Sequence, residues 1–491
     1  MDLILALDAG TTGVRTVAFD QNVQIVDSSY RELTQYFPRP GEVEHDALEI
    51  ARLAVETLSE VAATATREGH RILALGITNQ RETTVAFDRE NARVAHRAIV
   101  WQDRRCAPAC EELQARGHGP LVRSTTGLVL DPYFSATKMK WLLDHGALDD
   151  ATVPSLATID TWLVWYLSGG AHGGVFVSEP SNASRTMLMD LASLDWSPAM
   201  TDLFDVSSDL LAPIRPSASD FAAISVDVVP GLGGVPIAGV LGDQQAALFG
   251  QACFAPGVVK ATYGTGAFIL ANAGPEVPGV FDGLITTVAW DLGEHGTRAY
   301  AVEGSAFVAG AAVQWLRDEM GFFTSSSELE GLALSVPDSG GVHFVPAFTG
   351  LGSPFWRSDA RGSITGLSRG ANRGNIARAL VEALAYQVRA MTDAFADGGL
   401  QLRELRADGG AAAMDLLMSL QATNSRLTVR RSTSLEATAR GAATLAGLTV
   451  GRWDSLEQLE GLWRSDRSFE PDDAVFVDLG YAAWLRALEH A

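Results

Sequence analysis

Leu3-Ile4-Leu5-Ala6-Leu7-Asp8-Ala9-Gly10-Thr11-Thr12-Gly13-Val14-Arg15 is an apolar, strand-like run that ends on a carboxylate and turns through a Gly/Thr loop. Glycines in such a turn expose backbone N–H groups and threonines add hydroxyls, which is the chemistry a phosphate needs. A second loop of the same kind, Thr262-Tyr263-Gly264-Thr265-Gly266, precedes the apolar Phe268-Ile269-Leu270. One such loop in each half of the chain predicts two related domains gripping one nucleotide between them. Phosphoryl transfer or ATP-driven motion is the implied chemistry.

Working outward, residues 3–7, 14–19 and 24–29 predict three strands in succession, joined by turns at 10–13 and 21–22. A helix is expected over about 47–68, where Ile50, Leu53, Ala54, Leu58 and Val61 form one apolar stripe. A strand over 72–77 and a polar turn over 79–82 follow. In the second half, 258–262 and 267–271 predict a hairpin around the second loop, with helices over 307–319, 375–396 and 412–421. The boundary is expected near Gly250, after a helix-like 244–249, giving an N-terminal domain 1–250 and a C-terminal domain 251–491. No long flexible linker separates them, so a cleft that closes over ligands is expected rather than two tethered modules.

A chain of 491 residues fits two domains, and its 47% hydrophobic and 20% charged content is that of an ordinary globular protein. The net charge of −22 argues against nucleic acid or an anionic membrane as partner. Three cysteines, Cys106, Cys110 and Cys253, are too few for a disulfide framework and suit a reducing compartment. Cys106 and Cys110 are expected on one helix face, with no further ligands nearby to make a metal site. No apolar stretch approaches a membrane span and the N-terminus carries no basic region, so a cytoplasmic location without membrane insertion is expected.

Four further stretches carry chemistry. Asp8, at a strand end before a Gly/Thr turn, can hold a hydrated Mg²⁺ against nucleotide phosphates. Gly242-Asp243-Gln244-Gln245 places a carboxylate just before a helix, where Asp243 either caps the helix or takes the proton of an attacking hydroxyl. Asn79-Gln80-Arg81-Glu82 sets opposite charges side by side, either as a solvated surface pair or as a polyol clamp in which Arg81 donates and Glu82 accepts. Trp101, Tyr133 and Phe268 could supply apolar walls for a carbon backbone. Leu405-Arg406-Ala407-Asp408-Gly409-Gly410-Ala411 predicts a strand, a Gly-Gly turn and a helix start, letting a base or ribose approach the backbone closely.

Together these stretches resemble the FGGY carbohydrate kinase family of the actin-like ATPase superfamily, and within it the glycerol kinase subgroup. The motifs are LDAGTTGVR (7–15), GEVEHD (41–46), GITNQRETT (76–84), AIVWQDRR (98–105), SNASRTM (181–187), GDQQAALFGQ (242–251), TYGTGAF (262–268), VPAFTGLGSPFW (345–356) and ADGGA (407–411). The likeness runs from about Leu5 to Gly447. It implies an α/β fold of two actin-like, RNase-H-like domains with a ligand cleft between them. It also implies transfer of the ATP γ-phosphoryl group to a terminal hydroxyl of glycerol. Carried over by motif, Arg81, Glu82, Trp101, Tyr133, Asp243, Gln244 and Phe268 would bind glycerol. Asp243 would be the base, and Asp8 and Asp243 would hold Mg²⁺. Thr11, Thr12, Gly13, Arg15, Thr265, Gly310, Gln314, Gly410 and Met414 would face ATP. The family forms homodimers and homotetramers.

Three departures stand out. Met414 occupies a position where the family usually has Asn, which removes an amide hydrogen bond to the adenine. The loop Gly231-Leu232-Gly233-Gly234-Val235 lacks the Arg with which some bacterial members bind fructose 1,6-bisphosphate, so that regulation is not expected. Residues 421–426 and Arg440 also differ from the family's usual pattern. A kinase for another short polyol or ketose, and a non-catalytic nucleotide-binding module, are the alternative readings.

Overall fold

The computed structural model describes residues 1–434, 436–472 and 475–491, with backbone alone at 475 and 476. The opening meander forms as the alternation requires: β1 (Asp2–Ala9), β2 (Gly13–Phe19) and β3 (Ile25–Glu32) pair antiparallel in sequence order. Helix α1 (Ala47–Arg67) follows, capped by Asp46, whose carboxylate accepts from the amides of Leu48 and Glu49. Its buried stripe includes Ile50, Leu53, Ala54, Leu58 and Val61, all five residues of the predicted apolar face. The chain then crosses over to β4 (Arg71–Asn79), which lies parallel to β1, and much later adds β5 (Pro236–Gly242) parallel to β4. The main strands of this sheet therefore run β5-β4-β1-β2-β3, with the two-residue strand Ala222–Ala223 at its edge.

Helix α2 (Asp243–Gly250) leaves β5 directly and leads into the second lobe. There β6 (Val258–Tyr263), β7 (Ala267–Gly274), β8 (Ile285–Trp290) and β9 (Ala299–Ala306) precede α3 (Gly310–Asp318) and α4 (Arg373–Asp397). Next come β10 (Glu404–Asp408), α5 (Asp415–Ser425), β11 (Thr428–Ser432), α6 (Ala437–Thr449) and β12 (Ser465–Phe469). The sheet order is β8-β9-β7-β6-β10-β11-β12. Its segment β9-β7-β6-β10-β11 repeats the first lobe's order: an antiparallel meander whose first strand is extended on its other side by two successive parallel strands. The core is thus duplicated, one copy behind each Gly/Thr loop.

Each lobe has its own apolar core. One lies between the first sheet, α1 and the helix Ile159–Leu167; the other gathers around α4. A third core joins them, built from the opposite face of the first sheet, α2, α6 and the strands Val258–Tyr263 and Ala299–Ala306. Helix α6 belongs by sequence to the second half yet lies on β4 and β5 of the first. Glycines make that approach possible. A Cβ at Gly76 would stand 2.0 Å from the carbonyl oxygen of Ala442, and one at Gly441 1.8 Å from that of Ala246.

Several predicted bounds shift. The helix expected over 307–319 begins only at Gly310, because the amides of Ala309 and Gly310 bond back to the carbonyls of Thr265 and Gly264. The helix expected over 412–421 becomes a 3₁₀ turn, Gly410–Ala413, followed by α5. Cys106 holds the N-cap position of the helix Ala107–Ala115, one turn before Cys110, and both thiols lie against Thr137. Both thiols are buried and free, and burial raises them to about 11 and 12, which keeps them protonated and inert. Among the described residues no helix is long and apolar enough to cross a membrane.

Candidate active site

Three parallel strands end at one place. Register sets Asp8 on β1 opposite Thr78 on β4, and Asn79 on β4 opposite Gly242 on β5. The residues that follow these ends, the loop 10–13, the turn 80–83 and Asp243, therefore converge at the C-terminal edge of the sheet, where ligands of open α/β sheets bind. In the second lobe, Thr262 on β6 lies opposite Asp408 on β10, bringing Gly264–Gly266 beside Gly409 and Gly410.

The turn after β4 is tight. Glu82 has φ +60°, and the amide of Thr83 bonds the carbonyl of Arg81 at 2.7 Å, closing a γ-turn about Glu82. This conformation throws both charged side chains inward. Arg81 and Glu82 are 3% and 1% exposed, so they are not a solvated surface pair. Arg81 Nε lies 3.1 Å from Asp243 Oδ1, and its Nη1 donates to Glu303 Oε2 at 2.6 Å and to Gln245 Oε1 at 3.3 Å. Its Nη2 donates to the Tyr133 hydroxyl at 3.4 Å. Glu82 accepts from Arg185 Nε at 2.6 Å.

Asp243 is the first residue of α2, and Gly242 holds the cap position, so capping does not explain the carboxylate. Burial raises the Asp243 carboxyl above its ordinary range, opposed chiefly by Arg81. Gln244 Oε1 accepts from Lys260 Nζ at 2.5 Å, and the same ammonium donates to the carbonyl of Phe268 at 3.3 Å. Burial brings Lys260 down to about 8 despite Asp408 and Asp243 nearby. The Trp101 indole N–H donates to Thr11 Oγ1 at 2.9 Å, and its ring meets Tyr133 edge-on at 5.6 Å between centroids. The loop residue Thr11 and the wall residue Trp101 are thus one unit.

Asp8 keeps some access to the cleft, but the protein around it desolvates it. Burial, then the carboxylates of Asp243 and Glu436, raise it to about 7. A carboxyl raised in the folded state stabilises the fold fully below its unfolded value near 4 and loses that contribution as pH rises through about 7. Asp8→Asn is therefore expected to melt higher than the parent at pH 8 and together with it near pH 4, in the absence of nucleotide and metal. Thermal denaturation at the two pH values checks this, and a lower melting point at pH 8 would contradict it.

Of the remaining expected contacts, Thr265 and Gly310 are brought together by the bond from the Gly310 amide to the Gly264 carbonyl at 2.9 Å. A Cβ on Gly410 would meet nothing within 4 Å, so that turn faces open space. Gln314 is exposed on α3. Arg15 pairs with Glu436 from the second half, and Thr12 is exposed with its carbonyl accepting from the Leu33 amide. Gly13 packs under Tyr30, where a Cβ would stand 2.4 Å from the ring. Met414 is 8% exposed and belongs to the second-lobe core. Sequence reasoning missed Glu303, Arg185, Gln245 and Lys260. The signal available was a lone charge inside an apolar strand, as in Val258-Val259-Lys260-Ala261 and Ala301-Val302-Glu303-Gly304.

The two-lobed architecture recurs in known proteins. The chain is 49% identical over 480 residues to a glycerol kinase of Albidiferax ferrireducens, covering 96% of this chain and 95% of that one. It is 49% identical over 497 residues to a glycerol kinase of Halorhodospira halophila, covering 99% and 96%. Among solved structures, the Plasmodium falciparum glycerol kinase with ADP superposes with a TM-score of 0.93 at 34% identity, covering 100% of this chain and 98% of that one. Residues 3–250 match the N-terminal domain of the FGGY family of carbohydrate kinases and residues 259–450 its C-terminal domain. With both domains matched in order along one chain, the protein belongs to the FGGY family of carbohydrate kinases.

Proposed function

We propose that the protein transfers the γ-phosphoryl group of ATP to a terminal hydroxyl of glycerol, giving sn-glycerol 3-phosphate and ADP. The observation that carries this reading is the buried Arg81–Glu82 pair set against Asp243, with Arg81 Nε 3.1 Å from Asp243 Oδ1. A polyol hydroxyl donates and accepts at once, and a guanidinium beside carboxylates supplies a partner for each role. The Trp101–Tyr133 pair gives the carbon backbone an apolar wall, and Gln244 and Phe268, both held by Lys260, complete the polyol-binding set in this reading. Asp243 orients the attacking hydroxyl and takes its proton as the bond to phosphorus forms; in a loose transition state that proton moves late.

The nucleotide lies along the Gly/Thr loops, with Thr11, Thr12, Gly13 and Arg15 toward the phosphates. Thr265, Gly310, Gln314, Gly410 and Met414 lie toward the nucleoside. The Plasmodium falciparum relative carries ADP, which supports an adenine nucleotide as the phosphoryl donor. Among the described residues no group of three or more acidic, His or Cys side chains could hold a metal alone. Mg²⁺ on a nucleotide needs only one or two carboxylates, the rest of its shell being water and phosphate oxygen, so Asp8 and Asp243 fit it. When bound it neutralises charge on the phosphate oxygens. A cytosolic location and a homodimer or homotetramer belong to the same reading, drawn from family resemblance and from free, buried cysteines.

The test is ADP release with Mg-ATP against glycerol, dihydroxyacetone, erythritol, ribitol and D-xylulose. Glycerol is expected to exceed each alternative in kcat/KM by about tenfold or more, the scale set by lost or crowded groups in a fitted pocket. A preference for ribitol or D-xylulose would replace the substrate while keeping the chemistry, and no turnover on any would remove the reading.

A further inference from the structure

Four buried side chains beneath the polyol clamp form a closed ring of alternating charge. Arg81 donates to Glu303 at 2.6 Å, Glu303 accepts from Arg185 at 3.1 Å, and Arg185 donates to Glu82 at 2.6 Å. Glu82 closes the ring on Arg81 Nε at 3.9 Å. None of the four side chains is more than 2% exposed. Three members come from the first lobe: Arg81 and Glu82 from the turn after β4, and Arg185 just beyond the short helix Pro180–Ala183. Glu303 alone comes from the second, in the middle of β9, where it pairs with Leu270 of β7 and Ile285 of β8.

Each link has a physical consequence. Two guanidiniums side by side in a dry interior repel one another and are held only by carboxylates that reach both. Glu303 reaches both: its Oε2 takes Arg81 Nη1, while its Oε1 takes Arg185 Nη2 and Arg81 Nη2, the latter at 3.3 Å. Burial alone would raise Glu303, yet Arg185 and Arg81 hold it down at about 2, so it is fully ionised wherever the enzyme works. Arg185 is also stacked near the rings of Tyr133 and Phe134, 5.4 and 5.2 Å from their centroids. It therefore fixes Glu82 and touches the aromatic wall.

We propose that Glu303 and Arg185 are positioning residues for the polyol: they lock the forks of Arg81 and Glu82 from behind, and Glu303 ties that lock to the second lobe. This rests on the reading of Arg81 and Glu82 as the polyol clamp. The geometry of the substrate pocket then depends on a carboxylate from the lobe that carries the opposite Gly/Thr loop.

The replacement Glu303→Gln tests this. An amide in that place can accept from one guanidinium but turns an N–H toward the other, so one of the two forks loses its anchor. KM for glycerol is expected to rise by about tenfold or more, the scale of lost charge-assisted hydrogen bonds. KM for ATP is expected to stay within about twofold, and saturating glycerol to restore most of kcat. Arg185→Lys keeps the charge count but loses the fork that spans Glu82 and Glu303. It carries the test if Glu303→Gln does not fold, and the same split is expected. An unchanged KM for glycerol, or parallel rises in both KM values with a lowered melting temperature, would overturn the inference and leave the clamp reading standing. A parent enzyme that does not turn over glycerol would overturn the clamp reading and the inference with it.

Discussion

Replacing Asp243 with Asn is expected to lower kcat by about 10²–10⁴-fold, the usual contribution of a positioned general base. The substitution is nearly isosteric. Its remaining oxygen can still accept from Arg81 Nε, now 3.1 Å away, and from the Gln244 amide at 2.7 Å. The pocket and the start of α2 therefore persist, KM for glycerol changes little, and the loss falls on kcat. The base works ionised, and burial has raised its carboxyl. The parent enzyme's acid limb in kcat/KM is thus expected above the ordinary carboxylate range, and the limb should vanish with the carboxylate. Steady-state kinetics across pH on both proteins check this. An Asn variant retaining a tenth or more of the parent kcat would remove Asp243 from the base role.

Gly441→Val is the substitution expected to cost most in stability. At Gly441 a Cβ would stand 1.8 Å from the Ala246 carbonyl oxygen and 2.6 Å from its carbon, both backbone atoms that cannot turn aside. Helices α2 and α6 would have to separate, and overpacking of this kind costs about 1–3 kcal/mol, with the larger branched side chain at the top of that range or above. The same displacement moves α2, whose first residue is Asp243, so kcat should fall with stability. Gly331→Ala is the control. It lies inside the helix Glu328–Leu334 with nothing within 4 Å of the added carbon, so it should be neutral or stabilise by about 0.5–1 kcal/mol. Urea unfolding of the three proteins measures the difference. A Gly441→Val variant as stable as its Gly331→Ala counterpart would mean the lobes are not joined through this crossing.

Much of the frame was legible because its signals are local. Alternation over 3–7 and 14–19, the stripe from Ile50 to Val61 and the two Gly/Thr turns all declare themselves within a few residues. Asp8, Arg81 and Asp243 are legible on the same local grounds, and the register of three parallel strand ends explains why they meet; Trp101 and Tyr133 join them through Thr11 and Arg81. What was not legible depends on partners far along the chain. Glu303 lies more than two hundred positions from Arg81, and nothing local says which guanidinium a lone strand carboxylate will meet. The late start of α5 has a similar cause. The 3₁₀ turn Gly410–Ala413 precedes it, and Met414, packed into the second-lobe core, stays extended at φ −76°, ψ 113°. Helical propensity could not foresee that tertiary demand. Arg15, nominated for phosphate, meets Glu436 across the lobes, a pairing no local pattern encodes.

The most direct measurement follows phosphorus itself: ³¹P NMR of Mg-ATP with glycerol, run in parallel on the parent enzyme and Asp243→Asn. With the parent enzyme, one phosphate monoester resonance, that of sn-glycerol 3-phosphate, is expected to grow in step with ADP. It should be absent on the same timescale with the variant. Inorganic phosphate in place of the monoester, or equal monoester formation by both proteins, would contradict the account.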